Sequence, residues 1–407
     1  MQKILIVFFF QLIGISSFAQ PAYIFHEKGE EKFKAGNYLD AIKDFDQAIK
    51  ASVNNFESYL LRGKSYDKLG DKKHAIENYN LAIKYNPNYT DAYYSRALFE
   101  ADAGDEKSAL GDFAVVLKLN PNYLEVYNYR GLMYVHSGKS EAGMNDFKKA
   151  IELNTSNPEV YINMAHLHLK ENKINEAETD FTKGIELKPA YANTYFERGK
   201  IFLSQKKYKQ AAEDFSAALL KGYQKEELFQ FRYQVYENLG DVNSLFKDLS
   251  TLIDQYKSKD ANVYVKRGSI FSSKQDVANA LKDFAKAISF DHENGQVYLQ
   301  RGHLYFKQGK SKIPLAMMDY KKAEELNTTD YELYINSSKT LFDGQKFDLA
   351  LHDFTEAIKI KPTADLYYKR SMCHYKVGNK KSCCEDVKKA VEMGSLEAKK
   401  DIGVVCK

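Results

Sequence analysis

An aromatic residue returns at a nearly constant interval along the chain, and this periodicity strongly limits the possible folds. The first six intervals of the series are 34 residues long, and the last four are 35, 34, 36 and 33. A fixed period of this length is typical of supersecondary units that stack on one another. The series comprises Phe25, Tyr59, Tyr93, Tyr127, Tyr161, Tyr195, Phe229, Tyr264, Tyr298, Tyr334 and Tyr367.

Within each unit the spacing of small and aromatic residues is helical. We number the aromatic of the series as position 4; the sixth unit then has Gly199 at position 8, Ala211 at position 20, Phe215 at position 24 and Ala218 at position 27. Steps of three and four residues place such side chains on one stripe of a helix. The pattern therefore predicts two alternating helices whose small residues permit close approach, while aromatic rings fill the space between them.

With this pattern the chain resembles a tetratricopeptide repeat array over residues 22–394, in eleven units. The resemblance implies an all-α, right-handed α-solenoid, closed by a capping helix over residues 395–407. Prolines that end the second helix and glycines in the turn between the two helices agree with it. These residues are Pro87, Pro121, Pro189 and Pro362, and Gly36, Gly70, Gly104, Gly138, Gly240, Gly309 and Gly378.

Two departures from the repeat predict the domain organisation. The seventh unit, residues 226–259, has bulky residues at close-approach positions, including Tyr233 and Leu249. We expect an altered stacking angle there, which divides the array into residues 22–259, with seven units, and 260–394, with four. The ninth unit carries two extra residues around Ser311–Pro314, and because proline is tolerated at a helix start we expect a longer turn there.

The N-terminus has the features of a secretory signal. Lys3 precedes an apolar run from Ile4 to Phe10, and small residues follow. This order predicts a signal peptide over residues 1–19; the alternative is a short buried helix. We therefore expect an exported protein, periplasmic, outer-membrane associated or secreted, with no transmembrane segment in the mature chain.

Position 7 is arginine in eight units, which suggests a ladder that binds phosphate or carboxylate groups. Position 23 is aspartate in ten units, so structural Arg–Asp pairing between the two helices is the favoured interpretation. The net charge is +4, from 59 basic and 55 acidic residues. Neither feature favours nucleic acid as a partner.

No residues indicate catalysis or a cofactor. His136 and His166 lie in adjacent units and could approach one another, but no carboxylate or cysteine stands at ligand spacing from them. We therefore expect neither a metal site nor a catalytic site, and no cofactor.

The four cysteines all lie in the last 35 residues. In an exported protein an even number of cysteines indicates disulfides. Cys384 lies on the second helix of the last repeat, and Cys406 lies in the capping helix. A disulfide between them resembles the cysteine-stapled ends of some exported bacterial repeat proteins. A second, less favoured pair is Cys373 with Cys383, and free buried thiols are the alternative.

The resemblance places positions 2, 5, 9, 12 and 13 of each first helix on a concave groove that holds an extended peptide or a helix. The expected groove residues are Leu60, Lys64, Tyr94, Leu98, Asn128, Leu132, His136, Ile162, His166, Leu169, Lys170, Phe196, Lys200 and Leu203. The alternative is that the apolar members pack between neighbouring first helices. The leading hypothesis is a non-enzymatic scaffold in the bacterial cell envelope that binds a protein or peptide. A carbohydrate- or lipid-handling accessory protein and a regulatory subunit of an enzyme on another chain are the alternatives.

Overall fold

The structure, a computed structural model, describes residues 21–153 and 156–406. The predicted signal peptide lies outside these residues. The first helices of the repeats are residues 21–34 (α1), Phe56–Lys68 (α3), Thr90–Asp102 (α5), Leu124–His136 (α7), Pro158–Lys170 (α9), Ala192–Ser204 (α11), Glu226–Leu239 (α13), Ala261–Ser273 (α15), Gly295–Lys307 (α17), Tyr331–Asp343 (α19) and Ala364–Lys376 (α21).

The second helices are Tyr38–Ala51 (α2), Lys72–Tyr85 (α4), Glu106–Leu119 (α6), Ser140–Glu152 (α8), Ile174–Leu187 (α10), Tyr208–Leu220 (α12), Val242–Asp254 (α14), Val277–Phe290 (α16), Ile313–Glu325 (α18), Phe347–Ile360 (α20) and Lys380–Glu392 (α22). The helix Leu396–Val405 (α23) follows the last pair. The predicted all-α solenoid of helix pairs is confirmed. No helix in the described part of the chain is long and apolar enough to cross a membrane.

The chain divides into two compact units, and the division falls between Arg198 and Gly199, inside α11. Successive helices pack on one another from α2 to α10 in the first unit and from α12 to α23 in the second. First helices of neighbouring repeats also touch, as α7 touches α9 and α15 touches α17. The domain boundary at 259/260 stays a prediction.

The turn between the two helices of a repeat contains one residue with left-handed backbone. Gly70, between α3 and α4, has a φ of +79°, and all the turn glycines predicted from the sequence have positive φ. Four repeats use other residues at the same place, with φ between 58° and 61°: Asn172, Lys206, Gln275 and Gln345. Since this conformation costs an L-residue roughly 1 kcal/mol, the pairing of the helices, rather than glycine alone, imposes the turn.

An aromatic ring of the second helix packs against the small residue of the first helix in the same repeat. A Cβ atom placed on Gly131 of α7 would lie 2.8 Å from the Phe147 ring of α8. The same close approach holds for Gly29 and Phe45, Gly63 and Tyr79, Gly199 and Phe215, Gly268 and Phe284, and Gly302 and Tyr320. The prediction that small residues permit close approach of the two helices is confirmed.

The predicted Arg–Asp pairing between the paired helices is also confirmed. Arg130 of α7 donates to both carboxylate oxygens of Asp146 in α8, at 2.8 Å from Nε and 2.7 Å from Nη2. Its guanidinium carbon lies 5.7 Å from the ring centroids of both Tyr127 and Tyr134. Bidentate pairs of the same kind join Arg96 to Asp112, Arg232 to Asp248, Arg267 to Asp283, Arg301 to Asp319 and Arg370 to Asp386. These guanidinium groups are therefore engaged inside the repeats rather than offered to a phosphate.

The insertion in the ninth repeat forms a longer turn, as expected. A 3₁₀ helix over Lys310–Lys312 leads into α18, and Pro314 stands in the first turn of that helix. Proline lacks an amide hydrogen, but the first turn of a helix has no intrahelical acceptor for it, so α18 continues unbroken.

The end of the chain is fixed by a disulfide between Cys384 of α22 and Cys406, with sulfur atoms 2.05 Å apart. The favoured cysteine pair is confirmed. The second pair, Cys373 with Cys383, is wrong: both cysteines are free and buried. Cys373 faces the core it shares with Phe354 and Leu366, whereas Cys383 packs with Val387 and Ala398 under α23, so the two thiols belong to different hydrophobic clusters.

A matched pair of glycines tests the packing between helices. Gly131→Ala should lower the free energy of unfolding by about 1–3 kcal/mol, because the new methyl group overlaps the Phe147 ring. Gly111→Ala, in the middle of α6 with no neighbouring atom within 4 Å, should instead raise it by about 0.5–1 kcal/mol, since glycine is a poor helix former. Denaturant unfolding measures the change in the free energy of unfolding for both variants. Equal changes in the two variants would contradict the packing argument.

Candidate functional site

A surface pocket of about 570 Å³ lies between the first helices α7 and α9, and we call it the downstream pocket. It brings together four predicted groove residues, Leu132 and His136 from α7 with His166 and Lys170 from α9. The remaining lining residues are Val135, Phe147, Asn163 and Leu167. Because α7 and α9 are neighbouring first helices in contact, side chains at equivalent positions of the two helices face the same space.

A second pocket, of about 260 Å³, is lined mainly by the first helices α1, α3 and α5, and we call it the upstream pocket. It contains the predicted groove residues Lys64, Tyr94 and Leu98. Its other lining residues are Phe33, Asp67, Lys68, Tyr79, Ser95, Phe99 and Asp102. The same face of the first helices therefore forms both pockets.

The two pockets differ in charge. The downstream pocket is lined by two histidines and a lysine and by no carboxylate. The upstream pocket has two lysines and two aspartates. Burial lowers the pKa of Lys64 in this pocket, and the nearby carboxylate of Asp91 opposes the shift. A carboxylate ligand placed beside Lys64 would favour its charged form for the same reason.

Three predicted groove residues are buried, and the structure corrects their assignment. Leu60 is 3%, Asn128 4% and Phe196 1% exposed. All three stand at position 5, where a first helix is covered by its neighbour, as the contacts of α3 with α5 and of α7 with α9 show. Asn128 accepts a hydrogen bond from Asn163 of the next first helix at 3.0 Å. The solvent-facing aromatic predicted at Phe196 is therefore wrong: that ring belongs to the core.

Four further predicted residues, Ile162, Leu169, Lys200 and Leu203, are half-buried and line neither pocket. Ile162 packs against the second helix α10, because a Cβ atom built on Gly184 would lie 3.1 Å from its Cγ1 atom. A role of these four residues in binding stays a prediction.

The lining residues that the sequence reasoning missed stand at several positions of the repeat. Phe147 and Tyr79 are position-24 aromatics of second helices, which were assigned only to packing. Lys68 and Asp102 stand at position 13 of their repeats, a position already expected to face inward. Applying positions 9, 12 and 13 to every repeat would have found Lys68 and Asp102, but not the two aromatics.

Models of the tetratricopeptide repeat family match the chain in four stretches. One matches residues 56–89, 124–157 and 261–294, and a second matches residues 162–226. These stretches fall on the helix pairs whose close approach and Arg–Asp pairs are described above. The chain is a tetratricopeptide repeat protein.

Solved structures with a similar fold include YrrB, described as a tetratricopeptide repeat protein with an unusual peptide-binding site. It is 24% identical, with a TM-score of 0.42 over 47% of this chain and 97% of that one. A tetratricopeptide repeat protein of Parabacteroides merdae is 20% identical, with a TM-score of 0.38; the match covers 73% of this chain and 99% of that one. PilF of Pseudomonas aeruginosa is 17% identical, with a TM-score of 0.45; the match covers 50% of this chain and 92% of that one. No curated protein sequence matches the chain.

The burial of Phe196 is tested by comparison with Phe215, whose ring packs against Gly199 and is fully buried. Phe196→Ala and Phe215→Ala should each lower stability by about 3–5 kcal/mol, since both leave a cavity. Tyr129→Ala is the control, because this α7 aromatic is 40% exposed and should cost much less. Thermal unfolding of the three variants ranks their transition temperatures. A transition temperature of Phe196→Ala close to that of the wild type would contradict the burial of Phe196.

Proposed function

We propose that this protein is a non-catalytic scaffold that binds a segment of a partner protein along the first helices of repeats one to five. Arrays of the tetratricopeptide repeat support protein–protein interaction; models of this repeat match four stretches between residues 56 and 294, and the helix pairs continue to α22. The more specific proposal, that a peptide binds to one face of the first helices, rests on the upstream and downstream pockets.

One observation carries the proposal: the upstream and downstream pockets are lined from the same positions of successive first helices. Lys64, Leu98, Leu132 and His166 all stand at position 9 of their repeats. A segment that follows the first helices would meet an apolar side chain and a polar or charged one in each pocket. This is the arrangement of a site that anchors a few side chains of a peptide and leaves the rest solvated.

The lining also indicates the chemistry of the segment. In the downstream pocket the polar groups are His136, His166, Lys170 and Asn163, around the apolar surface of Leu132, Val135 and Leu167. We infer that this pocket receives an apolar side chain flanked by a carboxylate, because a negative charge there would lie near Lys170 and meet no like charge among the lining residues.

We further propose that the protein is exported. The signal-like order of residues 1–19 supports this location, and so does the disulfide between Cys384 and Cys406, since disulfides persist mainly in oxidising compartments.

Selection of peptides from a random displayed library on the full chain tests the proposed binding. Selected peptides should be enriched in an apolar residue next to aspartate or glutamate. Lys170→Glu should weaken their binding at least about tenfold, because it places a like charge in the downstream pocket, and Leu132→Ala should weaken it about five- to tenfold by removing apolar contact. Fluorescence anisotropy with a labelled peptide measures both.

Lys148→Glu is the matched control, because it makes the same charge change at an exposed position of α8 that lines neither pocket. Binding by this variant should equal that of the wild type at physiological ionic strength. Peptides whose affinity falls equally in Lys148→Glu and Lys170→Glu would be held by net charge alone, and the proposed pocket would be rejected.

Export is tested on protein purified from its natural host. The N-terminal residue of the mature form should be Gln20 or a close neighbour, and its digest should contain a peptide in which Cys384 and Cys406 are cross-linked. Mass spectrometry shows both features together. Abundant protein that begins at Met1 and carries four free thiols would contradict export.

A further inference from the structure

The tenth repeat lacks the internal cation that its buried aspartate would require. Asp353 stands at position 23 and is 6% exposed. In other repeats the aspartate at this position accepts two hydrogen bonds from an arginine. At position 7, where those repeats have arginine, the tenth repeat has Ser337. Ser337 provides a hydrogen bond to Asp353, but within residues 21–153 and 156–406 no lysine or arginine forms an ion pair with this carboxylate.

The other repeats that lack arginine at position 7 have a lysine or a histidine beside the aspartate instead. In the first repeat Lys32, at position 11, lies 2.5 Å from Asp44, and in the fifth repeat His168, at the same position, lies 2.8 Å from Asp180. The tenth repeat has Leu341 at position 11. A buried carboxylate without a charge partner is costly, so the missing cation is a specific feature of this repeat.

Two side chains of types that can bind a metal lie beside this carboxylate. His352 precedes Asp353 on α20, and Glu324 lies near the end of α18 in the preceding repeat. One carboxylate oxygen of Glu324 is 3.2 Å from Nε2 of His352. The ligand atoms of Glu324, His352 and Asp353 all lie within 4.8 Å of one another. His352 and Glu324 are partly exposed, with relative side-chain exposures of 59% and 42%, which gives an ion access from solvent.

We propose that Glu324, His352 and Asp353 bind a divalent transition-metal ion, which supplies the positive charge that arginine supplies in other repeats. An imidazole nitrogen with two carboxylates suits Zn²⁺ and its neighbours in the first transition row better than Mg²⁺ or Ca²⁺, which prefer oxygen ligands. Three protein ligands leave a coordination position for water or for a side chain of a partner. The bound ion would also connect α18 to α20, and so the ninth repeat to the tenth.

The inference is tested by titrating the full chain, purified without a histidine tag and treated with a chelator, with Zn²⁺ and with Co²⁺. Calorimetry should show one saturable Zn²⁺ site, and Co²⁺ should give a visible absorption band that Zn²⁺ abolishes. His352→Gln and Glu324→Gln should each weaken binding at least about tenfold, since each removes a ligand. His74→Gln is the control, because His74 pairs with Asp71 at 2.7 Å on an exposed helix end with no third ligand, and it should bind as the wild type does.

Ser337→Arg gives the sharpest outcome, because it changes no ligand. The new guanidinium should pair with Asp353, as Arg370 pairs with Asp386 in the next repeat, and metal binding should be lost while the thermal transition stays or rises. Zn²⁺ should raise the transition temperature of the wild type and not that of Ser337→Arg. Absence of a saturable site in the wild type, or equal affinity in the wild type, His352→Gln and Ser337→Arg, would overturn the proposal.

Discussion

In six repeats the distance between the two helices is set by an aromatic ring of the second helix, which occupies the space that a missing side chain leaves on the first. Gly131 and Phe147 show the constraint, since even a methyl group would overlap the ring. At this separation the arginine one residue before the glycine reaches the aspartate one residue before the aromatic, as Arg130 reaches Asp146. The packing and the charge pair thus both depend on contacts within one repeat, where the aromatic rings at positions 4 and 11 lie against the guanidinium group.

This dependence explains how much of the fold could be predicted from the sequence. The period of 34 residues, the small residues at position 8 and the paired columns of arginine and aspartate each follow from contacts inside one repeat, and the structure confirms them. The disulfide was predictable because a capping helix that carries Cys406 was expected to pack on the second helix of the last repeat, which carries Cys384. Lys206 and Gln275 in left-handed turns were not predictable from residue preference, because there the helix pairing overrides it.

The candidate site was predicted less well, since its residues depend on contacts between repeats. Positions 9, 12 and 13 lie in the second half of the first helix and do line the pockets, as Leu132 and His136 do. Position 5 lies nearer the helix start and behaves differently from repeat to repeat: Phe196 is buried in the core, whereas Tyr94 lines the upstream pocket. Exposure at a given position varies with the size of the side chains on the neighbouring repeat, and the repeat pattern alone does not contain that information.

The disulfide has a consequence for the order in which the chain can open. In a linear array each repeat is held only by its neighbours, so a terminal helix has one stabilising interface and separates first. Cys406 is tied to α22 across a sequence separation of 22 residues, and Ala398 of α23 is buried against the same helix. The disulfide therefore keeps the end of α23 attached to α22 even when the hydrogen bonds of α23 break, so fraying of this helix does not release it from the last repeat.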